Sequence, residues 1–179
     1  GTERAAHAHN HASLGSWTRY ANAFIGEVVS ELVAEMPGDR PLRILEIGAG
    51  TGGTTSSVLA VVPPERTEYW FTDVSQLFLS RAEEKLKSFP FVQYRRVDLE
   101  TSLDEQGIQP GSFDVVIAAD VLHTVSDIRA AVERCRVEAP GLAAWTKNKV
   151  QGLSKGMAQK VQLATALDLG RRPRVTHRW

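Results

Sequence analysis

The chain has 179 residues and 42 % hydrophobic content, enough for one compact domain with a buried core. Lys plus Arg and Asp plus Glu number 21 each, so no basic field gathers nucleic acid. No apolar run approaches the ~20 residues of a membrane span, Gly1–His11 holds no signal-peptide core, and one cysteine, Cys135, excludes an internal disulfide, so a cytoplasmic location is expected.

Residues 1–15 read as a flexible leader. Its alternating His7, His9 and His11 have no carboxylates or further ligands beside them, so no metal site is expected. From Ser16, a residue suited to cap a helix, Trp17, Tyr20, Phe24, Val28 and Leu32 recur at three- and four-residue spacing and form one helical face. Pro37-Gly38 ends that helix. Its first reading is packing against a sheet, and its second a lid over a ligand, with Tyr20 touching it.

Residues 43–53, Arg-Ile-Leu-Glu-Ile-Gly-Ala-Gly-Thr-Gly-Gly, carry the most information. A short apolar run ending in glycines reads as a buried parallel strand, 42–47, turning into a helix from Thr54 to about Val62. Gly48, Gly50 and Gly52 remove side chains from the turn, and the free N–H groups of the helix point at the same place. Further strands are predicted at 67–72, 92–97 and 113–119. They end in Asp73, in Asp98, and in Ala119-Asp120-Val121-Leu122-His123. Helices follow from Ser75 to about Lys87, with Phe78, Ala82 and Leu86 inward, and from Ser126 or Asp127 to about Arg136; Pro110-Gly111 makes a turn between them. Alternating strands and helices predict an α/β doubly wound sheet, mostly parallel.

Gly48, Gly50 and Gly53 also satisfy the G-x-G-x-x-G spacing, which does not by itself separate NAD from S-adenosylmethionine. Asp73 would bind ribose hydroxyls in either case. Asp98 is placed to meet an adenine amine, Glu46 beside the loop suits a cationic sulfonium better than a pyrophosphate, and no Tyr-x-x-x-Lys pair is present.

Leu42–Gly53, Thr67–Asp73, Phe91–Asp98 and Gly111–His123, in that order, resemble the C-methyltransferase domains of polyketide synthases over about residues 16–137. The resemblance implies a Rossmann-like methyltransferase fold, truncated at its C-terminus relative to the family. It implies S-adenosylmethionine as cofactor and methylation of the α-carbon of a carrier-bound β-ketoacyl thioester. The partners it implies are the acyl carrier protein that holds the substrate and the neighbouring synthase domains. His123 stands where the family has its base. Glu46, Gly48, Gly50, Gly52, Asp73, Asp98, Leu99, Ala119 and Tyr20 make up the implied cofactor set. The family's orienting glutamate has no clear equivalent; Glu133 and Glu138 are the candidates by proximity in sequence. Two alternatives remain open at this point: an O- or N-methyltransferase of the same fold, and a methyltransferase-like scaffold domain without catalysis.

Beyond about residue 139 the pattern changes. Ala139–Trp145 is a shortened version of the family's next turn and strand, and residues 150–167 resemble the signature segment of ATP-binding cassette ATPases. The chain has no G-x-x-x-x-G-K-[ST] loop and no acid after Asp168, so phosphoryl chemistry is not expected. Residues 154–168 read instead as an amphipathic helix capped by Ser154, with Met157, Val161 and Ala164 inward, followed by an exposed tail. The expected organisation is a leader (1–15), a methyltransferase core (16–139) and a C-terminal segment of unassigned structure (140–179).

Overall fold

The computed structural model describes residues 2–119, 121, 125–127, 129–131 and 134, with side chains from residue 19 onward. The expectations for Asp120, His123, the helix end near Arg136 and all of residues 135–179 lie outside the described residues. Seven principal elements follow in order: α1 (Thr2–Glu35), β1 (Leu42–Ile47), α2 (Gly53–Leu59), β2 (Thr67–Asp73), α3 (Gln76–Lys85), β3 (Val92–Arg96) and β4 (Val115–Ile117). The strands form one parallel sheet in the order β3-β2-β1-β4. The predicted α/β class and parallel sheet are therefore present.

The register aligns Ile44 with Tyr69 and Val115, and Tyr69 with Val92, so these side chains share one face. α1, α2 and α3 cover that face through Ile25, Val29, Leu32, Val58 and Leu79. The other face carries Leu45, Ile47 and Val116. It is covered by the long connection from β3 to β4, through Leu103, Ile108 and Phe113, and by Ala131 after β4. Burial on both faces is why β1 reads as a nearly continuous apolar run. At the opposite end of the sheet Asp114 locks β1 to β4: it accepts hydrogen bonds from Arg40 at 2.6 Å and from the Arg43 N–H at 2.8 Å.

Several boundaries differ from expectation. α1 begins at Thr2, so the supposed leader is helical and Ser16 lies inside the helix rather than capping it. Ala5, Ala6, Ala8 and Ala12, with no glycine or proline among residues 2–14, give that segment high helix propensity. The buried face of α1 is Ile25, Val28, Val29 and Leu32, continued by Met36 just after the helix; Tyr20 is 65 % exposed and Phe24 only partly buried. α2 stops at Leu59 because the N–H groups of Val61 and Val62 both close on the Val58 carbonyl ahead of Pro63-Pro64. On α3, Leu79 is buried with Ala82 where Phe78 was expected, and Phe78 is only half-buried. β4 spans three residues rather than seven. The Pro110-Gly111 turn is as expected, with Gly111 at φ +70° and the Ser112 N–H bonded to the Gln109 carbonyl.

Candidate functional site

The chain leaves β1 through a glycine turn whose conformation is set by three positive φ angles, at Gly48 (66°), Gly50 (55°) and Gly52 (75°). Gly52 is the left-handed residue that opens α2. The turn is pinned by backbone bonds from Ala49 N–H to Thr72 O (3.0 Å) and from Gly52 N–H to Ala49 O (2.9 Å). The glycines serve different neighbours. A Cβ on Gly48 would lie 2.3 Å from a Val121 methyl, so Gly48 admits the segment after β4 rather than a ligand. A Cβ on Gly53 would lie 2.8 Å from the Asn22 amide, where α1 crosses the start of α2. Of the glycines in this turn, Gly50 has the most open surroundings: its nearest neighbour among the described residues is the Gly48 carbonyl, at 3.9 Å.

This turn stands where the connections diverge. After β1 the chain passes to α2 on one face; after β4 it passes to Val125 and Ala131 on the other. Such a topological switch point, at the carboxyl ends of parallel strands, is where open α/β sheets take their ligands.

Asp73, the last residue of β2, is 6 % exposed and holds the turn in place. Its Oδ2 accepts the Gly50 N–H at 2.9 Å and its Oδ1 the Ser75 N–H at 2.8 Å. A carboxylate has about four acceptor positions, so each oxygen keeps one for a further donor. Asp98, two residues beyond β3, is half-buried. Its Oδ1 accepts the Glu100 N–H at 2.9 Å, and its Oδ2 makes no hydrogen bond among the described residues. Leu99 is buried in the second-face core, and Ala119 is half-buried beyond β4 against the first.

Glu46 is not where an open ligand acid would be. It shares a sheet face with Ile44 and points under α2, 1 % exposed. Its Oε2 accepts hydrogen bonds from Thr55 Oγ1 and Tyr69 Oη, both at 2.6 Å. Burial pushes its pKa up to about 7, against the lowering effect of the Thr55 and Tyr69 hydrogen bonds. Burial, then the nearby Glu46 charge, holds the Tyr69 hydroxyl well above its ordinary value. Glu46, expected in the cofactor set, thus lies in a buried polar cluster joining β1, β2 and α2. The strand alternation carried that signal, since residues 42, 44 and 46 must share a face.

The parallel strands bring the glycine turn, Asp73 and Asp98 to the C-terminal end of the sheet, whereas Leu99 is turned into the core. Tyr20 extends from α1 with its ring largely in solvent. His123 lies outside the described residues. The sequence reading missed five contributors. Val74 and Leu77, directly after Asp73, are 53 % and 57 % exposed, an apolar surface beside an acid. Asn22 accepts the Thr54 Oγ1 hydrogen bond at 2.9 Å. Glu100 takes both the N–H and the hydroxyl of Ser126 at 2.7 Å, which holds its own carboxyl below the usual range. Gln106 binds the backbone of Asp98.

A protein family described as a methyltransferase domain matches residues 45–138, more than half of the chain. The chain belongs to this methyltransferase family. Over 121 residues it is 42 % identical to polyketide synthase ThaG of Burkholderia thailandensis, covering 65 % of this chain and 2 % of that synthase. Among solved structures it resembles the CurJ carbon methyltransferase, with 40 % identity and a TM-score of 0.63 over 65 % of this chain and 31 % of that one. It also resembles the trans-methyltransferase CalH in complex with SAH (32 % identity, TM-score 0.54), over 70 % of this chain and 36 % of that one. The resemblance to polyketide synthase C-methyltransferase domains is thus borne out. The chain spans only a small part of the synthases it matches. Among the described residues no helix is long and apolar enough to cross a membrane.

Proposed function

We propose that this chain binds S-adenosylmethionine at the β1–β4 switch point and methylates the α-carbon of a β-ketoacyl thioester carried by an acyl carrier protein, as part of a polyketide synthase. The observation that carries this reading is the open Gly50 turn held by Asp73, with Asp98 Oδ2, unbonded among the described residues, beyond the neighbouring strand at the same end of the sheet. The residues fit the cofactor. Gly50 leaves room for a ligand against the backbone, and Asp73 retains acceptor positions for ribose hydroxyls. Asp98 offers an oxygen to an adenine amine, and Val74 and Leu77 supply apolar surface for a purine.

When bound, S-adenosylmethionine supplies an electrophilic methyl group. The chain's own part is to take a proton from a carbon flanked by ketone and thioester carbonyls, which is acidic enough for a base titrating near neutrality. His123 is assigned that role, by its place in the Val-Leu-His run after β4. Holding carbon and methyl in line supplies much of the remaining rate. The resemblance to the CurJ carbon methyltransferase supports transfer to carbon over oxygen or nitrogen.

The test has two parts. Calorimetric titration with S-adenosylhomocysteine should show one saturable site on the folded chain. Mass spectrometry of a β-ketoacyl carrier protein incubated with the chain and the cofactor should show a 14 Da gain located at the α-carbon. No binding by a folded chain would leave only a scaffold role, whereas binding without transfer would withdraw the catalytic half of the proposal.

A further inference from the structure

Asp98 sits just past the end of β3, where no ladder hydrogen bond fixes its backbone; its neighbours do so instead. The Gln106 amide pairs with the Asp98 peptide groups as an adjoining strand would. Its Oε1 accepts the Asp98 N–H at 2.7 Å and its Nε2 donates to the Asp98 carbonyl at 2.8 Å. The same Nε2 donates to the Ser102 carbonyl at 3.0 Å. Only one orientation of the amide satisfies all three, because the Asp98 N–H can only donate and the two carbonyls only accept. The Thr101 N–H also closes on the Asp98 carbonyl, and Arg134 Nη1 donates to the Leu99 carbonyl at 2.6 Å. Gln106 is itself held in a short 3₁₀ turn, Asp104–Gln106, anchored by the buried Leu103 and Ile108. The Asp98 carboxylate therefore has its direction set from outside its own strand. One oxygen is used by the Glu100 N–H, and the other makes no hydrogen bond among the described residues.

We propose that Gln106 is a positioning residue for purine recognition: by clamping the Asp98 peptide it aims Asp98 Oδ2 at an exocyclic amine, and so makes the site prefer adenine over a purine bearing a 6-oxo group. This rests on the cofactor reading above and adds to it the residue that sets specificity. The chemistry discriminates because adenine offers an N6 amine donor, whereas hypoxanthine offers an acceptor that a carboxylate repels.

The test compares S-adenosylhomocysteine with S-inosylhomocysteine, titrated calorimetrically into the wild-type chain, Q106M and D98A, with melting temperatures recorded without ligand. The wild type should prefer the adenosyl ligand by tenfold or more, on the order expected when a site built for a hydrogen-bond donor meets an analogue lacking it. Q106M should lose about tenfold in adenosyl affinity and little in inosyl affinity, so that the preference collapses. In the D98A background, adding Q106M should change the preference no further, since the two act as one unit. Equal weakening of both ligands in Q106M, or an undiminished preference, would overturn the proposal. If Q106M does not fold, Q106E carries the same comparison, because it keeps an acceptor for the Asp98 N–H but no donor for either carbonyl. A wild type that binds neither ligand would instead strike the cofactor reading itself, a result distinct from binding both equally, which would sink the role of Gln106 alone.

Discussion

Asp73 and Glu46 are both buried acids at the C-terminal ends of neighbouring strands, yet their surroundings give them opposite work. Asp73 is bonded to two backbone N–H groups of the turns it organises and keeps capacity for a ligand. Asp73→Ala should weaken S-adenosylhomocysteine binding by ~1.5–3 kcal/mol, the range for lost hydrogen bonds to a charged acceptor. Asp98→Ala should weaken it less, because backbone groups also hold a purine; calorimetry on both variants checks the order. Glu46 is instead a stability determinant with a pH signature. Its folded-state pKa of about 7 lies above its ordinary value of 4.5, so the folded chain binds the proton more tightly. The contribution is fully present below pH 4.5 and is lost as pH rises towards 7. At 1.36 kcal/mol per pH unit, that interval amounts to about 3 kcal/mol. Denaturant unfolding at successive pH values should show this decline in the wild type and its absence in Glu46→Gln. An acid two residues before a glycine turn was legible in the sequence. That it points away from the turn, into contact with Tyr69 and Thr55, depends on which face of β1 the helices cover.

Between elements, the glycine turn is a packing joint as much as a proposed ligand cradle. Gly48 meets Val121 and Gly53 meets Asn22, so two of the turn's glycines are required by neighbouring protein rather than by an open pocket. Gly48→Ala should therefore cost about 2–4 kcal/mol in unfolding free energy, combining a left-handed backbone with an overpacked contact. Gly50→Ala should cost only about 1–2 kcal/mol, from the backbone alone, and should show its main effect on S-adenosylhomocysteine affinity. Thermal melts and titrations on the two variants separate the roles. α1 shows the limit of periodicity arguments at this scale. Spacing of three and four residues marked a helix, but Phe24 and Ile25, or Val28 and Val29, lie side by side on its surface. Packing on the sheet chose the face containing Ile25 and Val29, leaving Tyr20 in solvent.

Across the whole molecule, the parallel order β3-β2-β1-β4 gathers the C-terminal ends of the strands, so Ile47, Asp73, Arg96 and Ile117 come from distant parts of the sequence to one end of the sheet. Glu100 bonded to Ser126, and Arg134 bonded to the Leu99 carbonyl, tie the turn beyond β3 to the segment beyond β4. In an active chain, His123→Ala should reduce methyl transfer by ~10²–10⁴-fold, the usual range for a positioned general base. S-adenosylhomocysteine affinity should change little. The wild-type rate should rise with pH through the neutral range as the imidazole loses its proton. Steady-state rates from pH 5.5 to 8.5, with titrations on the same samples, test both statements; full activity in His123→Ala would remove the histidine from the mechanism.

The residues alone were enough for the fold class, the four strands, the glycine turn and the acids at the ends of β2 and just beyond β3. Each of these is encoded locally: an apolar run, a cluster of glycines, a polar residue where a strand must stop. They were not enough to tell Glu46 from Asp73, to separate the three kinds of glycine, or to find Asn22 and Gln106. Those roles arise from contacts between segments far apart in the chain. A side chain's work there depends on which face it occupies and what lies across from it, and only the packed sheet and its helices supply that.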